Sequence, residues 1–227
     1  LKHKFTGVDL SNNSISYQNK LKEKHNLQNL NLICDDFRNV IFKKKFDYII
    51  STGVIHHLNN PETGLKYFYE NLKNDGVIYI MVYGKYQSRS LNEVKKIFKN
   101  LNLKQNNESI QIARKIILGL AENHPAKIFV KNTKDIMYDA GIIDLLLHSN
   151  ENFFTFENLI LLLNKNKLLI KNFFNGNLTS LTKFFHGDFK NIKKIRKLEI
   201  EKKLNLSQIL NWDDRKIEVI LCKKENV

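Results

Sequence analysis

Two apolar runs separated by one helix-length stretch constrain this chain more than any other feature. The first lies in FDYIISTGVIHHL, residues 46–58, and the second is Val77-Ile78-Tyr79-Ile80-Met81-Val82. Neither run alternates polar with apolar residues, which is the pattern of a parallel strand covered on both faces. Pro61 suits the first turn of a helix, and Leu65, Phe68, Tyr69 and Leu72 follow at helical spacing. Asn74-Asp75-Gly76 reads as a helix stop and turn before the second run.

The same alternation extends upstream. Residues 5–9 form a short apolar run ending in Asp9, and Ser11 or Asn12 can cap a helix that continues to about Lys24. Leu30, Leu32 and Cys34 give a further strand. Strands alternating with helices predict a doubly wound α/β sheet. Beyond Tyr83 the character changes, and Ser88 to about His148 shows helical periodicity with little strand signal. One stripe is Leu91, Val94, Ile97, Phe98 and Leu101; a second is Ile110, Ala113, Ile116, Ile117 and Leu120; a third is Ile136, Ala140, Ile143 and Leu147. Thr155 can cap a helix carrying Leu159, Leu162 and Leu163, and Leu168 to Phe174 reads as another strand. A basic helix is expected around Phe189 to Lys203, and Lys216 to Cys222 alternates like a final antiparallel strand. The expected organisation is therefore a core part at 1–83, a helical insertion serving as a substrate lobe at 84–154, and a second core part at 155–227.

Composition narrows the function classes. With 42% hydrophobic residues in 227, the chain can bury one good core and a smaller lobe. The longest apolar runs, Ile142 to Leu147 and Leu159 to Leu163, are far too short to cross a bilayer. Cys34 and Cys222 lie in strand-like contexts without metal spacing and read as buried, reduced thiols, which suits a cytoplasmic protein. The net charge of +14 raises a nucleic-acid partner. Its lysines are scattered, however, in a chain rich in Lys, Asn and Ile and poor in Arg. The densest group is Lys190, Lys193, Lys194, Arg196, Lys197, Lys202 and Lys203, and Glu199 and Glu201 interrupt it as on a solvated helix face. A nucleic-acid acceptor is disfavoured.

In an open α/β sheet, ligands bind beyond the carboxyl ends of the strands. Asp9 closes one strand, where a carboxylate can accept both hydroxyls of a ribose; the same Asp would equally serve a helix N-terminus. Asp35 and Asp36 close the next strand, where an Asp can also simply bond its own turn. Gly53, in Ser51-Thr52-Gly53, permits close backbone approach to a ligand. His56-His57 lacks the further ligands a zinc site needs at normal spacing. Asp144 and His148 stand four apart and so share a helix face, which makes His148 a candidate general base.

Residues 46–58, Pro61 and 74–83 resemble the fourth strand, following helix and fifth strand of class I S-adenosylmethionine-dependent methyltransferases. Phe5-Thr6-Gly7-Val8-Asp9-Leu10-Ser11 resembles their second strand, and Leu32-Ile33-Cys34-Asp35-Asp36-Phe37 the end of their third. The resemblance implies a partial Rossmann-like sheet, mostly parallel with an antiparallel final strand, plus a helical insertion. It implies that Asp9, beside Leu10, holds the ribose. Asp35, with Asp36 as its register alternative, takes the adenine amine, and Phe37 packs on the ring. The Ser51–Gly53 loop underlies the methionine part, with His56 at its border and no metal. Tyr83-Gly84-Lys85-Tyr86-Gln87-Ser88-Arg89 is similar to a turn in a subgroup of these enzymes, which puts Tyr83, Tyr86 and Arg89 on the acceptor side. Asp144 to His148 with Phe154-Thr155 resembles a stretch of that subgroup's insertion.

The family's strand order is three, two, one, four, five, seven, six. Its first strand and glycine-rich turn should precede residue 1, so the chain reads as a truncated remainder that binds cofactor poorly. The expected activity is methyl transfer to a small molecule or a protein side chain. The alternatives are a nicotinamide-dependent oxidoreductase, and a silent scaffold binding protein or RNA.

Overall fold

β1 (Phe5–Asp9) pairs in parallel with β2 (Leu30–Cys34), from Phe5 opposite Leu30 to Asp9 opposite Cys34. A parallel pair needs a crossover, and α1 (Asn12–Lys24) supplies it. Ser11 caps α1, its side chain accepting from the Ser14 amide at 3.2 Å. Lys22 and Lys24 sit in the last turn, where the helix dipole favours positive charge. The Asp35 amide donates to the Asp9 carbonyl at 3.1 Å, extending the ladder past both strand ends. These elements belong to the first of two compact units, residues 1–45 and 46–227. The computed structural model describes residues 3–148, 151–174, 197–210 and 216–224.

The second unit holds a four-stranded sheet. β3 (Phe46–Thr52) lies parallel to β4 (Leu72–Tyr83), and α2 (Pro61–Asn71) connects them. β6 (Lys216–Lys223) runs antiparallel to β4 and to β5 (Leu168–Phe173), so the order is β3-β4-β6-β5. This is the four-five-seven-six part of the expected order, with the antiparallel strand where the alternation of residues 216–222 put it. Ile78, Ile80, Val82, Val219 and Leu221 are fully buried in the middle of the sheet. β3 is an edge of this sheet, and Tyr48 and Ile50 on it are 74% and 75% exposed.

One turn is corrected. Asn74-Asp75-Gly76 belongs to β4 rather than ending a helix. Phe46 pairs with Leu72 and Tyr48 with Val77, so extra residues of β4 are taken up as a bulge. Gly76 is needed there because a Cβ would stand 2.9 Å from the Asp47 carbonyl oxygen.

Between β4 and residue 148 the chain is helical: α3 (Arg89–Asn100), α4 (Asn107–Gly119), α5 (Pro125–Lys131), the short α6 (Asp139–Ile142) and a π turn at Ile143–Leu147. Leu91, Val94 and Phe98 of α3 pack with Ile110, Ala113 and Ile117 of α4, as the first two stripes predicted. The outer members Ile97 and Leu101 stay 44% and 52% exposed. The third stripe holds in part: Leu147 is buried and Ile136 and Ile143 pack partly buried against the same core, but Ala140 is exposed, and Ile142, Leu145 and Leu146 are buried besides. The period shifts because this stretch passes from a 3₁₀ turn at Asp135–Met137 through α to π geometry.

After it, Thr155 caps α7 (Phe156–Lys165), accepting from the Asn158 amide at 3.1 Å. Gln208 of α8 (Ile200–Leu210) is buried. It donates to the Phe154 carbonyl at 2.7 Å and accepts from the Phe156 amide at 3.1 Å. The basic group at Lys190 to Arg196 lies outside the described residues. Cys222 is buried as expected, but Cys34, at the end of β2, is exposed.

A buried ammonium marks the α4–α5 corner. Lys127 is 7% exposed and donates to the Leu120 carbonyl and to Glu122, both at 2.7 Å. Lys127 and Lys131 together hold the Glu122 carboxyl down from its ordinary 4.5 to about 2. A carboxyl depressed on folding adds stability above its unfolded value and loses it as pH falls toward the folded one. Glu122→Gln should therefore lower the melting temperature at pH 7 and make no difference near pH 2. Thermal unfolding of both proteins across that range checks this, and an equal deficit at every pH would refute the linkage.

Candidate active site

In the first unit, the carboxyl ends of β1 and β2 bring two acids side by side. Asp9 Oδ1 accepts from the Ser11 amide at 2.7 Å, so part of this carboxylate steadies the entry to α1. Leu10 beside it is 72% exposed. Asp35 is exposed, and its Oδ1 accepts from the Asp36 amide at 2.6 Å and from Asn39 Nδ2 at 3.3 Å. Asp36 is occupied differently. It caps the Phe37–Asn39 turn and forms a two-pronged pair with Arg38, with Nη2 to Oδ2 at 2.5 Å and Nε to Oδ1 at 2.9 Å. The Arg38 guanidinium holds the Asp36 carboxyl below its ordinary value. Of the two register alternatives, Asp35 is the one left facing solvent at the strand end. Phe37 follows, partly buried.

In the second unit, the loop after β3 turns through Gly53. Its φ of +74° suits glycine, and its amide donates to the Met81 carbonyl at 3.2 Å. Ser51 is buried just before it. His56 and His57 follow in a 3₁₀ turn that Asn152 clamps from afar. The Asn152 amide donates to the His56 carbonyl at 2.7 Å, and its Nδ2 donates to the Leu58 carbonyl at 2.7 Å.

Three imidazoles stack at this turn. The His56 ring centroid lies 4.2 Å from that of His57 and 4.1 Å from that of Tyr83, and His57 lies 3.9 Å from His148. His57 Nε2 stands 3.3 Å from Asp144 Oδ1, while the Tyr83 hydroxyl donates to Asp144 Oδ2 at 3.3 Å. Asp144 thus ties the π turn to the end of β4. His56 is fully buried, whereas the Asp144 side chain is 42% exposed, so the cluster opens at its Asp144 side.

His56, His57 and Glu151 each offer a ligand atom within 4.8 Å of the others. The Glu151 carboxylate pairs with Lys95 of α3, which already supplies the positive charge that a metal ion would bring. Glu151 escaped the sequence reading because it stands almost a hundred residues from the histidines with no motif around it.

The structure divides the acceptor-side residues between two places. Tyr83 and His148 share the imidazole cluster, whereas Tyr86 and Arg89 line a cavity of about 550 Å³ together with Glu93, His124, Phe129 and Ile209. The sequence missed His57 as the hub and gave Asp144 no role of its own. The signal for both lay in the Asp144–His148 spacing, which marked one face without naming what it faces.

Residues 1–78 match a family model described as a methyltransferase domain. Among solved structures, that of PKMT2 from Rickettsia typhi superposes with a TM-score of 0.74 at 17% identity, covering 98% of this chain and 44% of that one. The same protein in complex with AdoHcy gives 0.71 at 17% identity, covering 98% and 45%. The chain therefore spans less than half the length of these solved chains. At that identity the likeness speaks to the fold, and it extends through the helical residues beyond 83.

Proposed function

We propose that this chain, whose residues 1–78 match a methyltransferase domain, is part of an enzyme that transfers a methyl group from S-adenosylmethionine to a small molecule or a protein side chain. The observation that carries the reading is the pair of acids at adjacent parallel strand ends, Asp9 opposite Cys34 and Asp35 one residue on. Such acids fit an adenosine: Asp9 accepting from the ribose hydroxyls and Asp35 from the adenine amine, with Phe37 against the ring. In the second unit, the Gly53 turn leaves its backbone open to close approach by a ligand. The bound cofactor supplies an already activated methyl group on a sulfonium. The protein's task is then to align the acceptor with that carbon and to exclude water.

The likeness to PKMT2 from Rickettsia typhi in complex with AdoHcy supports this cofactor. Among the described residues no helix is long and apolar enough to cross a membrane. A cytoplasmic setting fits the two free cysteines.

Calorimetry on the product of the complete gene tests the reading. S-adenosylhomocysteine should bind at one equivalent and NADH should not. Binding of NADH alone would favour an oxidoreductase, and binding of neither would favour a scaffold.

A further inference from the structure

We infer that the cavity of about 550 Å³ beside α3 and α5 is a binding site for a small organic anion, a carboxylate carried on an apolar body. The cavity lies within the second unit, and the inference needs neither a cofactor nor the methyl-transfer reading. Its volume falls in the range of about 300–1,000 Å³ typical of small-molecule sites.

Three stretches of chain build it. The turn after β4 and the start of α3 bring Tyr86 and Arg89, α5 brings Ile128 and Phe129, and α8 adds Ile209. Tyr86 and Ile209 are 44% and 52% exposed, so the cavity keeps apolar surface that an occupant would remove from water.

The charges decide what that occupant carries. Arg89 is exposed and pairs with no carboxylate among the described residues. Glu93, also at the cavity, stands four residues on, where it could answer Arg89 across one turn of α3. It is held instead by Lys96, whose Nζ donates to its two oxygens at 3.1 and 2.9 Å. His124, a further lining residue, caps α5. Its Nδ1 accepts from the Ala126 amide at 3.2 Å, so its ring carries a hydrogen on Nε2 and offers a donor. Ser88, the N-cap of α3, makes no side-chain hydrogen bond to the first turn, which leaves the positive end of the helix dipole uncompensated next to Arg89. A guanidinium and an imidazole N–H, set against one carboxylate that is already paired, favour an anion. The guanidinium fork matches a carboxylate in shape and in single charge. The apolar wall selects a carboxylate with a hydrophobic body.

Naphthoate and naphthylmethylamine carry one ring with opposite charge and serve as probes. On the full chain, calorimetry should show naphthoate binding about tenfold more tightly than the amine. Arg89→Gln should remove that preference. Glu93→Gln should tighten naphthoate binding by about threefold, and Lys96→Ala, which releases Glu93 toward Arg89, should weaken it by about the same factor. Tyr86→Ala should weaken both probes alike, by about fivefold. These side chains are all exposed, so each variant should melt close to wild type. Equal affinity for the two probes in wild type, or naphthoate affinity unchanged in Arg89→Gln, would overturn the assignment. So would the failure of both probes to bind at millimolar concentration.

Discussion

Asp9→Ala should weaken S-adenosylhomocysteine binding by about 10- to 100-fold. The magnitude is that of hydrogen bonds to a charged acceptor, roughly 1.5–3 kcal/mol. Because Asp9 also accepts from the Ser11 amide at 2.7 Å, alanine removes a turn contact along with the ligand contact. Asp9→Asn separates the two effects. An amide oxygen can still accept from Ser11, but it no longer offers a carboxylate to two ribose hydroxyls. Asn should therefore keep the melting temperature of wild type and still lose most of the affinity. Asp36→Asn is the contrasting case. Its carboxylate already faces Arg38, so the same titration should change by less than about threefold. Wild-type affinity in Asp9→Asn would remove Asp9 from the cofactor site.

The second large effect is structural. Phe98 is 2% exposed and packs among the buried faces of α3, α4 and the π turn. Phe98→Ala deletes a ring from a close-packed interior, which typically costs about 3–5 kcal/mol in lost transfer energy and residual cavity. For a chain of this size that corresponds to a fall of roughly 10 °C in melting temperature. Ile97→Ala, one residue earlier but 44% exposed, should lower it by no more than a degree or two. Comparable losses at both positions would mean that α3 is not packed as described.

These contrasts show what the sequence made legible. The strands of the sheet were readable because burial on both faces removes polar residues, as in residues 77–82, and because β6 keeps its period of two. The helix starts were readable where Ser11, Pro61 and Thr155 act through local chemistry. The bulge at Asn74–Gly76 was not readable, because Asn-Asp-Gly is turn chemistry everywhere except where a neighbouring strand imposes its own register. The third helical stripe was readable only in part, for a related reason. A fixed period cannot describe a stretch that changes its hydrogen-bonding step from 3₁₀ to π. Asp9 and Asp35 were visible as strand-end acids, but only the structure separates Asp35 from Asp36, through Arg38. The convergence of His57, Asp144 and Tyr83 draws on three stretches of chain and leaves no trace in any one of them.

The placement of β6 has a consequence for how the protein is made. On the ribosome, β4 and β5 emerge while the strand that must lie between them is still unsynthesised. Until residues 216–223 leave the exit tunnel, one edge of β4 and both edges of β5 have nothing in this sheet to pair with, and the sheet cannot close. The α3–α4 packing, by contrast, is complete in sequence long before then and can form early from local contacts. The nascent chain thus carries a finished helical lobe beside an open sheet, and its exposure to chaperones and to mispairing ends only with the last described strand.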